Sequence, residues 1–100
     1  MEWIIFIKRE NVRKAEEKLR TDFDVAAKQS IAIRDAKSLG LKGEGSFFLI
    51  NGTDDGVKKC QELIKEFVEK IDGNELKIAE KKIKEEEEKA AEGMGGIFNI

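Results

Sequence analysis

The feature that most constrains the fold is an uninterrupted apolar run near the start of the chain, from Trp3 to Ile7. Its residues are aromatic or β-branched, the types that favour strands. A strand that is apolar on both sides must be covered on both sides, so it belongs in the middle of a sheet. With 40% apolar residues the chain can form one small core, which predicts a single domain over residues 1–100.

A helix is predicted next, over residues 12–23. Asn11 is a favourable N-cap residue, and four apolar residues follow at helical spacing, namely Val12, Ala15, Leu19 and Phe23.

Residues 30–36 alternate in polarity, with Ile31 and Ile33 on one side, which predicts a second strand. A short helix over 36–39, or a longer one from Ser30, is an alternative. Three glycines within 40–45 form a loop, and Ser46 to Ile50 is a third strand. Because only the loop separates these strands, they are predicted to form a hairpin.

The second helix has the clearest pattern. Thr53 is its predicted N-cap, and two aspartates in the first turn suit the positive end of the helix dipole. An apolar stripe then continues as Val57, Cys60, Leu63, Ile64, Phe67, Val68 and Ile71. The helix is predicted to run to the Asp72-Gly73-Asn74 turn.

A third helix is predicted over residues 75–92, with a thin apolar stripe and a solvated acidic run at 85–88. Gly93, Gly95 and Gly96 are expected to break it. The remaining tail is then a terminal strand or a docking segment. Ile97 and Phe98 are candidate oligomer contacts, since apolar side chains are wasted in solvent.

This order of elements predicts an α+β fold of the ferredoxin-like, split βαβ type. The expected sheet is antiparallel with helices on one face, and the third helix is an addition at the C-terminal end. The overall pattern resembles small archaeal proteins with a ferredoxin-like core, a resemblance that assigns no residue roles.

Composition narrows the chemistry. There is no histidine and Cys60 is the only cysteine, which excludes the usual zinc sites and imidazole catalysis. No cofactor or metal is predicted, and Cys60 is assigned to the core. Charged residues make up 40% of the chain at a net charge of −2, a balance typical of thermophiles. Without a signal-peptide or membrane-span pattern, we expect a cytoplasmic protein with no membrane partner.

Two segments resemble the RNA-recognition motif family. Lys42 to Phe47 resembles the strand-three motif, and Ile5 to Lys8 the strand-one motif. Glu44 and Ser46 stand where that family has base-stacking aromatic residues. The resemblance implies RNA binding as one alternative function.

A second alternative is a small-metabolite enzyme or binding site. An adjacent Arg and Asp beside a glycine loop can orient a polar ligand. The candidate residues are Arg34, Asp35, Lys42, Gly43 and Gly45, within a site that includes the 40–46 loop. An ordinary surface ion pair would also explain the Arg–Asp pair.

The leading hypothesis is a non-enzymatic binding or regulatory module that forms a homo-oligomer, most simply a homodimer. Several apolar elements exceed what a small core needs, and sheets of this kind often pair across subunits.

Overall fold

The computed structural model describes the backbone of residues 1–98 and the side chains of residues 1–89. Its elements in chain order are β1 (Glu2–Lys8), α1 (Arg9–Thr21), β2 (Ser30–Asp35), β3 (Gly45–Asn51), α2 (Asp54–Ile64), β4 (Val68–Glu69) and α3 (Gly73–Phe98). Short 3₁₀ turns cover 26–28, 37–39 and 65–67. The sheet order is β2-β3-β1-β4 with every pair antiparallel. This confirms the predicted ferredoxin-like α+β fold with an additional C-terminal helix.

The apolar run of β1 lies inside the sheet, as predicted. It pairs with β3 along its whole length, from Glu2 opposite Asn51 to Lys8 opposite Gly45. On its other side, Phe6 and Ile7 pair with β4. The predicted β2–β3 hairpin is also confirmed, with Ser30 opposite Asn51.

Each face of the sheet has its own apolar cluster. On the α1/α2 face, Ile5, Ile7, Phe48 and Ile50 pack with residues of α1 and α2. On the α3 face, Phe6, Ala32, Phe47 and Leu49 pack with Ala79 and Ile83 of α3. The helices of the split βαβ unit therefore share one face, as predicted, and the added helix covers the other.

The predicted start and end of the first helix are wrong. α1 begins at Arg9, directly after β1, and Lys8 occupies the N-cap position without a side-chain hydrogen bond. The Arg9 amide donates to the carbonyl of Glu44, the residue before β3, at 3.1 Å. Asn11 therefore lies inside the helix and is not its N-cap. α1 ends at Thr21, and Phe23 beyond it is 74% exposed rather than part of the apolar stripe.

The second helix begins as predicted and ends earlier. The Thr53 hydroxyl accepts a hydrogen bond from the Gly56 amide at 3.0 Å, which confirms the cap. The helix stops at Ile64, and Val68 leaves the predicted helical stripe to pair with Ile7 as part of β4. A free edge of β1 offers backbone partners there, and the same apolar residues satisfy either pattern.

The third helix is longer than predicted. It begins at Gly73, where the Asp72 carboxylate accepts from the Asn74 amide at 3.0 Å. It then continues through all three glycines to Phe98, so the predicted break and the strand at 97–98 are wrong. Glycine weakens a helix by only about 1 kcal/mol relative to alanine and, unlike proline, keeps its amide donor. The side chains of Ile97 and Phe98, and residues 99–100, lie outside the described part.

Candidate functional site

Arg34 and Asp35, the pair predicted to orient a ligand, have different hydrogen-bond partners in the structure. Arg34 donates from Nε to Glu86 Oε2 of α3 at 2.8 Å and from Nη1 to the Ile33 carbonyl at 3.0 Å. Asp35 accepts instead from the Lys37 amide at 3.0 Å, at the turn that follows β2. Each side chain thus has a structural partner of its own: Arg34 holds α3, and Asp35 shapes the turn.

The glycine loop packs against β1. A Cβ atom on Gly43 would lie 2.7 Å from Phe6 Cζ, and one on Gly45 would collide with the Ile7 carbonyl oxygen. The loop therefore needs glycine at these positions because it passes so close to β1. Lys42, the remaining predicted ligand residue, is exposed.

A cleft of about 660 Å³ lies beside this loop, where β1 ends and β4 passes. It is lined by Phe6, Lys8, Arg9, Glu10, Glu44, Glu69, Lys70 and Ile71. Lys8 and Glu69 already pair across it at 3.6 Å. Its three cations and three carboxylates balance, so the cleft carries no net preference for an anion or a cation. The sequence did not predict this cleft because β4, which forms one of its walls, was predicted as part of the second helix.

The face that would stack RNA bases is covered. Phe6 and Phe47 have ring centroids 5.1 Å apart and are 5% and 1% exposed. Ala79 and Ile83 of α3 pack on the same cluster. Base stacking needs an accessible ring face, which these two residues do not offer here. RNA binding stays a prediction from the sequence alone.

Cys60 is fully buried in the cluster under α1 and α2, as predicted for a core residue. Burial raises the pKa of its thiol, and the nearby Asp22 carboxylate adds to the effect. A buried thiol with a raised pKa is a poor nucleophile. Among the described residues, no group of three or more acidic or cysteine side chains is arranged to hold a metal ion.

Three polar contacts hold α3 on the sheet. Lys82 Nζ donates to the Leu39 carbonyl at 2.6 Å, and Arg34 pairs with Glu86. Lys84 Nζ donates to Glu2 at 3.0 Å and also approaches Glu80 at 3.2 Å, and these hydrogen bonds raise the pKa of Lys84. The contacts with Leu39 and Arg34 place the middle of α3 over the end of the sheet that β2 forms.

α3 runs on past β2. Leu76 packs near the β1 side of the α3-face cluster, together with Ile4 and Ile71. Glu86 is already at Arg34 on β2, the last strand on that side of the sheet. From Glu86 to Phe98 the helix extends about 18 Å further at a rise of about 1.5 Å per residue. Glu87 and Glu88 still line a groove with Ser30 of β2 and with Leu49 and Asn51 of β3.

The outer edge of β2 carries backbone groups that no described strand pairs with. The Ala36 amide donates to the Gly45 carbonyl at 2.9 Å, which marks a hydrogen-bonded pair at the end of the β2–β3 ladder. In an antiparallel ladder such pairs alternate along the strand. Residues 30, 32 and 34 therefore bond to β3, and residues 31, 33 and 35 direct their amides and carbonyls outward. The Arg34 contact with the Ile33 carbonyl agrees with this assignment.

Comparison of the chain with family models, curated proteins and solved structures finds no match. In the described part, no helix combines the length and the apolar character that crossing a bilayer requires. Function must therefore be argued from the surfaces described above.

Proposed function

We propose that the protein is a non-enzymatic, homo-oligomeric binding module in which a second copy pairs with the outer edge of β2. One observation carries the proposal. β2 is a six-residue edge strand with outward amides and carbonyls at Ile31 and Ile33. An added strand would bond to these groups, as in other strand-addition interfaces.

The two sheet edges differ in how they are protected. β4 has two residues, and a very short edge strand offers little to pair with. β2 is longer, has an apolar centre at 31–33 and contains neither proline nor lysine. Its one charged cover is Arg34, which occupies the Ile33 carbonyl and leaves the Ile31 and Ile33 amides free of hydrogen-bond partners in the described part.

The sheet face is not the expected interface. Sheets of this kind often pair across subunits to cover an open face, and here α3 of the same chain covers that face. Pairing at the edge is the remaining way to extend this sheet.

The chemistry supports binding over catalysis. The chain has no histidine, and its only thiol is buried with a raised pKa. Arg34, the strongest candidate for orienting a substrate, holds α3 through Glu86. The function of such a module would be to assemble with a partner rather than to catalyse a reaction.

Sedimentation velocity over a wide concentration range tests the proposal. The unmodified protein should change from monomer to dimer with concentration. Ile33→Pro removes an outward amide and no β2–β3 bond, so it should abolish the dimer and keep the circular dichroism spectrum. Ile33→Val is the matched control and should dimerise normally.

Should the proline variant unfold, Ile31→Lys provides the same test, since it places a cation on the edge with the backbone unchanged. A protein that sediments as a monomer at every concentration would overturn the proposal. So would dimerisation of a folded edge variant at the strength of the unmodified protein.

A further inference from the structure

We infer that, in the homodimer on which this inference rests, the β2 strands pair with Ile31 opposite Ile33 of the other copy, and that Arg34 of each copy enters an acidic groove of the other. The acidic groove is the space of about 310 Å³ lined by Glu2, Ser30, Leu49, Asn51, Lys84, Glu87 and Glu88. The dimer would thereby complete a site that one chain forms only in part.

Symmetry limits the possible registers. A two-fold axis perpendicular to the sheet keeps α1 and α2 of both copies on one face and α3 on the other. Only outward residues can exchange backbone hydrogen bonds, and these are 31, 33 and 35. The axis must then pass through one of residues 31 to 35.

Side-chain pairing selects one of the five. An axis at Arg34 or Asp35 sets two identical charges directly opposite each other, which is destabilising. An axis at Ile31 sets Arg34 opposite Lys28 of the second copy, and like charges directly opposite are destabilising. An axis at Ile33 sets the Asp35 carboxylate opposite Ile31. An axis at Ala32 sets Ile31 opposite Ile33 twice.

The Ala32 axis also lets Ile31 and Ile33 pack against each other across the interface. Ile31 and Ile33 lie on the α1/α2 face, where both are partly buried against its cluster. Opposite residues of an antiparallel pair project from the same face, so each isoleucine gains an apolar neighbour. Two such pairs would close the half-covered end of the cluster in both copies.

Charge complementarity follows from the same register. The Ala32 axis places Arg34 opposite Ser30 of the second copy, and Ser30 lines the acidic groove together with Glu87 and Glu88. Both glutamates are exposed. The one lysine of the groove, Lys84, is already engaged by Glu2 and Glu80. A second guanidinium there would offset the remaining negative charge.

Arg34 has the geometry to serve both copies. Its Nε holds Glu86 of its own chain, and its Nη1 covers the Ile33 carbonyl. When the Ile31 amide of the second copy reaches that carbonyl, Nη1 is released toward the groove, and Nε keeps α3 in place. A guanidinium carries five donors, enough for both contacts.

Cysteine cross-linking reads the register directly. With the axis at Ala32, the two Ala32 residues form a non-hydrogen-bonded pair with Cα atoms about 4.5 Å apart, within disulfide range. Ala32→Cys should therefore form a covalent dimer under mild oxidation. Ile33→Cys and Ile31→Cys should cross-link much more slowly. The unmodified protein is the blank, because Cys60 is fully buried.

The outcomes separate the two proposals. A dimer by sedimentation that cross-links best through Ile33→Cys or Ile31→Cys overturns this register and leaves the proposed function standing. A monomer by sedimentation with no cross-link in any variant overturns both. Dimerisation with selective Ala32→Cys cross-linking is the expected result.

Charge reversal tests the groove separately. The double substitution Glu87→Lys and Glu88→Lys should weaken dimerisation about tenfold, since the symmetry breaks two exposed ion pairs at once. The double substitution Glu17→Lys and Glu62→Lys, at exposed positions on α1 and α2, is the matched control for net charge. A double variant that dimerises like the control would show that Arg34 does not enter the groove.

Discussion

The two faces of the sheet are covered in different ways. On the α1/α2 face, two helices contribute buried Ala15, Leu19, Val57, Cys60 and Ile64 to a continuous apolar cluster. On the α3 face, the described side chains of α3 contribute Ala79 and Ile83 at full burial. Polar contacts from Lys82, Glu86 and Lys84 complete its attachment.

The difference indicates two levels of stability within one domain. Apolar burial contributes about 25 cal/mol per Å² and does not depend on salt, whereas exposed ion pairs contribute about 1 kcal/mol or less each. We therefore expect the α1/α2 face to open only when the whole domain unfolds. The α3 face should open locally at a lower free energy.

Phe47 and Phe48 provide the sharpest comparison, because they are neighbours in β3, are 1% and 0% exposed, and point to opposite faces. Phe48→Ala should lower the free energy of unfolding by about 3–5 kcal/mol, the usual cost of deleting a buried phenylalanine. Phe47→Ala should cost less by about 1 kcal/mol or more, since α3 can shift or separate. Urea unfolding followed by circular dichroism measures both.

The conservative substitutions Phe47→Leu and Phe48→Leu are the controls, and each should keep most of the stability. Equal losses of unfolding free energy in the two alanine variants would mean that the two faces unfold as one unit and do not differ in stability.

Ile83→Ala truncates the larger of the two α3 side chains, Ala79 and Ile83, that are fully buried within residues 73–89. The loss of about 2 kcal/mol or more should fall mainly on α3, so its amides should exchange hydrogen faster while those of α1 and α2 change little. Hydrogen exchange by mass spectrometry resolves the two sets. Ile78→Ala, at a side chain that is 44% exposed, is the control and should change neither.

The rate at which the Cys60 thiol is labelled gives a second measure of whether opening is confined to the α3 face. Because the thiol lies under α1 and α2, its rate of labelling should stay unchanged in Ile83→Ala. Faster labelling in that variant would show that opening of α3 also opens the other face.

The smallest effect concerns pH. Burial raises the pKa of the Cys60 thiol above its ordinary value of 9.0, so the folded protein holds this proton more tightly than the unfolded chain does. Well below pH 9 the thiol is protonated in both states and contributes no pH dependence. Above it the unfolded chain releases the proton first, and stability falls as pH rises.

Cys60→Ala should lack this part of the alkaline loss of stability, in unfolding curves measured between pH 7 and 10.5. Since lysine deprotonation is common to both proteins, the difference between their pH profiles isolates the thiol. Identical profiles would mean that the folded thiol ionises as easily as the unfolded one.

Local patterns predicted much of the fold. The β1 run, the alternation in β2 and the Thr53 cap each follow from residues near one another in the chain, and all three are confirmed. β4 was missed because Val68 continues a helical stripe equally well. The competing partner, the edge of β1, lies about sixty positions away in the sequence.

The candidate site was less predictable than the fold. Arg34 was selected for its neighbour Asp35, but its contacts are with Glu86 of α3 and with the Ile33 carbonyl. The glycines of the loop were assigned to a ligand, and in the structure they allow close passage over Phe6 and Ile7. Residue type alone does not show which partner a side chain meets.

By itself, the sequence determined the strands and helices with strong local periodicity, the order of the split βαβ unit and the burial of Cys60. These depend on spacings of two and of three to four residues, which the chain carries everywhere. Only the tertiary structure decided that α3 covers the second face, that β4 replaces the end of a helix and that β2 keeps an open edge. Those outcomes depend on contacts between distant segments, and a local pattern cannot record which distant surface is free.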